Sequence, residues 1–212
     1  FLENQPVGII WGVGKSLQKK LKRDGIDTIG ALRKIDLMEL VSRYGVIGRR
    51  LAAFSIGIDD RSVNLDSVTK SVSSETTFSQ DLKEARDLEK RLWLQAEKVS
   101  KRLKIKKLVC SGVTLKLRQS NFKIITRSRN FSYFTDMAEE IYRHTLYMLS
   151  KEIDGRSFRL LGIGAIKLSA KKNELCTRTL DFDQDKLVRI EQAMDKVRGR
   201  FGDKSIIKGR AL

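Results

Sequence analysis

The segment Gly12-Val13-Gly14-Lys15-Ser16 (GVGKS) combines glycines, a cation and a hydroxyl in the order that anion-binding loops use. A nucleotide-binding loop needs G-x-x-x-x-G-K-[ST], in which a glycine-rich turn aims backbone N–H groups at phosphate oxygens. Gly14-Lys15-Ser16 supplies the end of that pattern, but its first glycine should stand where Ile9 does, and Gly8 is one position early. The preceding FLENQPV is too polar, and too broken by Pro6, for the buried strand that feeds such a loop. No later apolar strand ends in an Asp that would hold Mg²⁺. The spacing suits a different device. A tight Gly-x-Gly turn at a helix N-terminus presents amides to a phosphodiester and reads no sequence. Glycine is needed there for positive φ and for close approach of the backbone. A second pair, Gly45 and Gly48, precedes Arg49 and Arg50 and favours phosphate binding over a plain turn.

Other chemistry is sparse. His144 is the sole histidine, and Cys110 and Cys176 have no metal-ligand spacing, so a disulfide framework or zinc site is not expected. This leaves little for nucleophilic or two-metal catalysis, and no cofactor is expected in this chain. Asp59-Asp60 reads as part of a solvated hinge, His144 as a surface or core-edge residue, and Trp11 and Trp93 as packing residues.

The charge balance points to a polyanion. The 212 residues carry 43 Lys+Arg against 26 Asp+Glu, a net charge of +17. Between Lys101 and Arg129 lie Lys101, Arg102, Lys104, Lys106, Lys107, Lys116, Arg118, Lys123, Arg127 and Arg129, without one acid. A run of that length favours phosphate contact over a merely solvated face. No run of about 18 apolar residues exists, so no membrane span is expected. The chain starts at Phe1 without a basic-then-apolar leader, which reads as a piece of a longer, cytoplasmic protein.

The elements that must position these residues follow from periodicity. Residues 1–58 read as short helices: one opened by Gly12–Gly14 with Leu17 and Leu21 inward and Lys15 and Lys19 outward, one over Ile29–Ile35, and one capped by Asp36. Residues 59–69 read as a linker. Residues 70–170 follow the order strand, helix, strand, strand, helix, strand, predicting an α+β unit whose four-stranded sheet has both helices on one face. Along 109–118, Val113, Leu115 and Leu117 alternate with Thr114, Lys116 and Arg118. In the next strand Thr126, Ser128 and Asn130 alternate with Arg127 and Arg129. If the polar sides of the two strands coincide on the open face, the sheet presents rows of cations to a groove. Residues 171–212 read as a basic tail with one helix near 184–198.

Taken together, IIWGVGKSLQKKLKRDGIDTIGAL, FSIGID, KSVSSETTF, GVTLKLR, FKIITRSRNF and RLLGIG resemble the thumb and little finger of Y-family (translesion) DNA polymerases of the bacterial DinB type, over about Pro6 to Ser169. The resemblance implies a helix-hairpin-helix thumb and a little finger that grip primer–template DNA through phosphates during lesion bypass and repair. It places hairpin contacts on Gly12, Val13, Gly14 and Lys15, with Lys19 beside them on the cationic face. Little-finger contacts fall on Ser71, Ser73, Arg118, Thr126, Arg127, Ser128 and Arg129, with Lys116 on the polar side of the same hairpin. The palm, with its Mg²⁺-binding carboxylates, would precede the thumb, so this piece should not polymerise alone. The family's sliding-clamp peptide has a degenerate echo in Thr179-Leu180-Asp181-Phe182, which leaves Leu180 and Phe182 as its candidates. Trp11 stands where that family commonly has proline. The runner-up from the residues is a stand-alone RNA- or DNA-binding module, because a sheet with a basic open face also suits RNA.

Overall fold

The computed structural model describes residues 1–62, 68–171 and 182–211, with backbone alone for 182–185 and 211. The chain divides into two compact units, Phe1–Ser67 and Val68–Leu212.

The first unit opens with a 3-10 turn, Val7–Ile9, followed by α1 (Lys15–Arg23), α2 (Ile29–Arg33), α3 (Leu37–Tyr44) and α4 (Val46–Ser55). Their starts and stops are written locally. Gly25 leaves α1 with φ +77°, Thr28 accepts the Ala31 N–H to cap α2, and Asp36 accepts the Met38 N–H at 2.7 Å to cap α3. Gly45, at φ +65°, is both the end of α3 and the start of α4. Gly48 differs from the expectation for the second glycine pair. It lies inside α4, where a Cβ would sit 2.0 Å from the Leu40 carbonyl oxygen, so it is a packing residue and not part of a loop. Leu21, Ile26, Ile29, Leu32, Leu40 and Leu51 close a small core.

The second unit contains β1 (Val72–Leu82), α5 (Ala85–Ile105), β2 (Leu108–Gln119), β3 (Ile124–Thr135), α6 (Ala138–Ser150), β4 (Phe158–Ala170) and α7 (Phe182–Phe201). The sheet order is β1-β4-β2-β3, with every neighbouring pair antiparallel. β1 therefore runs parallel to β2 with β4 between them, and β3 parallel to β4 with β2 between them. Two helical crossovers, α5 and α6, interlock the unit. Val113, Leu115 and Leu117 of β2, with Leu161, Ile163 and Ala165 of β4, pack against Leu88, Leu92, Trp93, Ala96, Val99, Leu103, Ile141 and Leu149 of the helices. One sheet face is thus buried and the other left free.

α7 is tied to α5 through charged pairs. Lys104 Nζ lies 2.6 Å from both Glu191 and Asp195, Arg198 2.8 Å from Glu97, and Lys101 2.6 Å from Asp203 just beyond the helix. Lys208 and Arg210 of the tail both bind Glu139. Burial opposes ionisation of Glu139, but those two hydrogen bonds more than offset it and hold the carboxyl below its ordinary range.

Candidate nucleic-acid interface

In the first unit, Gly12 has φ +92° and Gly14 is extended, so the chain turns sharply between Ile10 and α1. The Val13 N–H donates to the Ile10 carbonyl at 3.0 Å, and Val13 is buried, which fixes the turn from inside. Gly14 caps α1 without a side chain, and the first intrahelical bond runs from the Gln18 N–H to the Gly14 carbonyl. The N–H groups of Lys15, Ser16 and Leu17 are the unpaired donors that every helix start exposes, here beside the exposed cations Lys15 and Lys19. Neither lysine has an ion pair among the described residues. Trp11 is exposed, with the Arg61 guanidinium 4.3 Å over its ring. That guanidinium also lies 4.8 Å over Phe54 and forms two 2.7 Å hydrogen bonds to Asp59.

In the second unit, cross-strand register decides which side chains share a face. Thr114 faces Ser128 and Gly164, Lys116 faces Thr126 and Gly162, and Arg118 faces Ile124 and Leu160. Across the next pair, Ser73 faces Gly164 and Glu75 faces Gly162. The free face therefore carries Ser73, Glu75, Thr114, Lys116, Arg118, Thr126, Ser128 and Asn130 over a floor of Gly162 and Gly164. No aromatic side chain takes part in those pairs. A Cβ at Gly162 would meet Glu75 Cβ at 2.6 Å, and one at Gly164 would meet Thr114 Oγ1 at 2.5 Å, so the floor is glycine because its neighbours' side chains fill the space.

The rows of cations do not form. Arg127 pairs in register with Leu115 and Arg129 with Val113, which puts both arginines on the helix side of the edge strand. Arg127 binds Glu152 at 2.7 Å, and Arg129 lies 4.4 Å over the Tyr147 ring of α6. Lys116 meets Glu75 at 2.8 Å across Gly162, so its charge is partly neutralised on the face itself. Arg118 keeps its Nε buried without a partner among the described residues. Ser71 is exposed just before β1; Ser73 uses its carbonyl to accept from Arg102 and leaves its side chain on the free face. Of the acid-free run, Lys101, Lys104, Lys116 and Arg127 all have carboxylate partners brought from elsewhere in the fold.

Sequence reasoning missed Glu75 and the glycine floor, and left open whether Thr126, Ser128 and Asn130 face outward or inward. The floor had a signal, since Gly162 and Gly164 recur two apart in a strand. Leu180 lies outside the described residues, as does the side chain of Phe182 at the start of α7. Burial pushes the Cys110 thiol up to about 12. Burial, then the nearby Arg129, holds the His144 imidazole below its ordinary value. His144 Nε2 lies 2.8 Å from the Tyr133 hydroxyl, and its ring stacks on Phe131 at 4.4 Å. No group of three His, Cys, Asp or Glu side chains among the described residues could hold a metal ion, and none of their helices is long and apolar enough to cross a membrane.

Residues 69–194 match the impB/mucB/samB family C-terminal domain. DNA polymerase IV of Brucella melitensis is 43% identical over 209 residues, 99% of this chain and 47% of that protein. DNA polymerase IV of Caulobacter vibrioides is 36% identical over 212 residues, 100% of this chain and 52% of its own length. Among solved structures, a Y-family DNA polymerase chimera superposes with a TM-score of 0.63 at 16% identity, over 80% of this chain and 49% of that one. That likeness concerns the fold. The chain spans about half the length of the curated relatives it matches.

Proposed function

The chain belongs to the impB/mucB/samB family of the Y-family DNA polymerases, and on that premise we propose that it is the DNA-gripping part of such an enzyme. Residues 1–58 act as a helix-hairpin-helix thumb, 59–69 as a linker and 70–170 as the little finger, followed by the 171–212 tail. The amides of Lys15 to Leu17 and the ammonium groups of Lys15 and Lys19 hold one stretch of DNA backbone. The free sheet face receives the duplex. Its serine and threonine hydroxyls donate to phosphate oxygens, and Arg118 adds charge at one end. Polymerisation, and any Mg²⁺ that it uses, belong to the half of the relatives that this chain does not span. Among the described residues no donor set fits a metal. Lesion bypass and repair in the bacterial cytoplasm are the setting that this reading implies.

One observation carries the reading over its rival. An RNA reader of similar topology needs aromatic side chains on its central strands, on which bases stack. Here the free-face positions of central β4 and β2 include Gly162, Gly164, Thr114 and Lys116, a low surface that suits close approach of a sugar–phosphate backbone. The test is competition between a primer–template duplex and a single-stranded RNA of equal length. The duplex should bind more tightly, and Thr126→Ala with Ser128→Ala should weaken it several-fold on every sequence tried. Tighter RNA binding, or a loss confined to one sequence, favours the stand-alone module.

A further inference from the structure

The free sheet face is laid out in rows that cross the strands in register. Ser73, Gly164, Thr114 and Ser128 make one row, Glu75, Gly162, Lys116 and Thr126 the next, and Thr77, Leu160, Arg118 and Ile124 the one after. Neighbouring rows stand about 7 Å apart, the rise of two strand residues. The Ser73 row offers hydroxyls and no charge. The Arg118 row offers a guanidinium with no ion pair among the described residues. The middle row is a zwitterion, and Glu75 is the one acid in these register pairs. Lys116 Nζ lies 2.8 Å from Glu75 Oε2, although β4 runs between their strands. Such a span needs a low floor. A Cβ at Gly162 would stand 2.6 Å from Glu75 Cβ, so glycine there leaves the Glu75 side chain room to lie across β4 toward Lys116. Both side chains stay open to solvent, Glu75 at 50% exposure and Lys116 at 36%. A pair that exposed contributes little to stability, so the fold alone does not account for an acid among the hydroxyls and cations of this face.

We propose that Glu75 is a brake on the grip: it competes with DNA phosphate for Lys116 and makes that lysine a latent phosphate ligand. This role rests on the reading above, in which the free face receives a duplex. In the free chain the carboxylate holds the ammonium group. A phosphate arriving at the middle row can draw Lys116 away, because the four-carbon stem rotates freely. The carboxylate left behind then repels the same phosphate. The neighbouring hydroxyls donate to phosphate whichever partner Lys116 takes. The duplex is therefore positioned by hydrogen bonds while this row adds little net attraction, and its release is faster than the cations of the face alone would allow. Glu75 acts through Lys116 and is a positioning residue.

The experiment is the affinity of the full chain for a primer–template duplex across a range of salt, with Glu75→Gln, Lys116→Ala and the double variant beside the native protein. Glu75→Gln should tighten binding by about fivefold at low salt, the factor for removing one like charge roughly 4 Å from a phosphate in water. It should also steepen the log–log salt slope by about 0.9, one further counterion released by the freed Lys116. Its melting temperature should stay that of the native chain. Lys116→Ala should matter little in the native background and weaken binding several-fold beside Glu75→Gln, a coupling that a merely structural pair would not produce. Asp87→Asn, exposed on α5 behind the sheet, raises the net charge equally and should change affinity less. If the native chain binds duplex but Glu75→Gln and Asp87→Asn have equal effects, or Lys116→Ala weakens binding equally in both backgrounds, the brake is overturned and the DNA-gripping face stands. If the native chain binds no duplex at low salt, the reading of the face is overturned and the brake with it.

Discussion

Gly12 and Gly48 do different work, and substitution separates them. At Gly12 a Cβ would meet nothing within 4 Å, but φ is +92°, so Gly12→Ala should cost about 1 kcal/mol of backbone strain. At Gly48 the added carbon would strike the Leu40 carbonyl, and Gly48→Ala should destabilise the first unit by about 3 kcal/mol as α3 and α4 part. Chemical denaturation of each variant checks the order, and equal losses would contradict it. The first role was legible in GVGKS, because few other residues tolerate such a φ. The second was not, since close packing of two helix backbones leaves no mark in a single short motif. Arg127 makes a parallel case. Its partner Glu152 is buried, so Arg127→Ala strands a carboxylate and should cost about 1–2 kcal/mol, partly recovered by adding Glu152→Gln. Thermal melts of the single and double variants decide this. If Arg127→Ala weakens DNA binding without lowering stability, the arginine serves DNA and not the fold.

At the scale of elements, alternation along β2 and β3 was readable, but the face that each set occupies was not. Register depends on the connection between the strands. Here Gln119 N–H donates to the Lys123 carbonyl and Phe122 N–H to the Gln119 carbonyl, and Phe122 takes φ +65°. That turn sets Leu117 opposite Ile125, and a slip of one residue would carry Arg127 and Arg129 to the free face. A hydrophobic pattern constrains such a slip only where a strand is buried, and in edge strand β3 only Ile125 and Thr135 are buried. The side chains that this strand offers to the proposed phosphate contacts are therefore Thr126, Ser128 and Asn130. In the first unit, α1 carries its own prediction. Lys15→Ala should reduce the salt dependence of DNA binding by about one phosphate's worth of released counterion, with the same effect on every sequence. An unchanged slope would remove Lys15 from the interface.

Over the whole molecule, charge that is contiguous in sequence is dispersed in space. The net +17 suits the polyanionic partner proposed above, but the acid-free run supplies less free charge than its count suggests, because α7, β1 and the segment after α6 return carboxylates to it. Periodicity cannot foresee those pairings, since Lys104 and Glu191 alone stand 87 positions apart. Stability should also depend on pH through His144. Burial, with Arg129 and Arg143 nearby and Glu140 opposing them, keeps its folded value below the ordinary 6.5. The unfolded chain binds that proton more readily, so this contribution is present above about pH 6.5 and is lost as pH falls through the folded value. Melting temperatures from pH 7.5 downward should fall for the native chain and fall less for His144→Phe, and identical pH profiles would refute the assignment. The proposed grip on DNA runs through the DNA backbone. Its most direct test is the affinity of the chain for primer–template DNA of two unrelated sequences, measured across a range of salt concentrations. Both sequences should fall on one shared line with a log–log slope of roughly −3 or steeper. A flat response to salt, or a large difference between the two sequences, would contradict it.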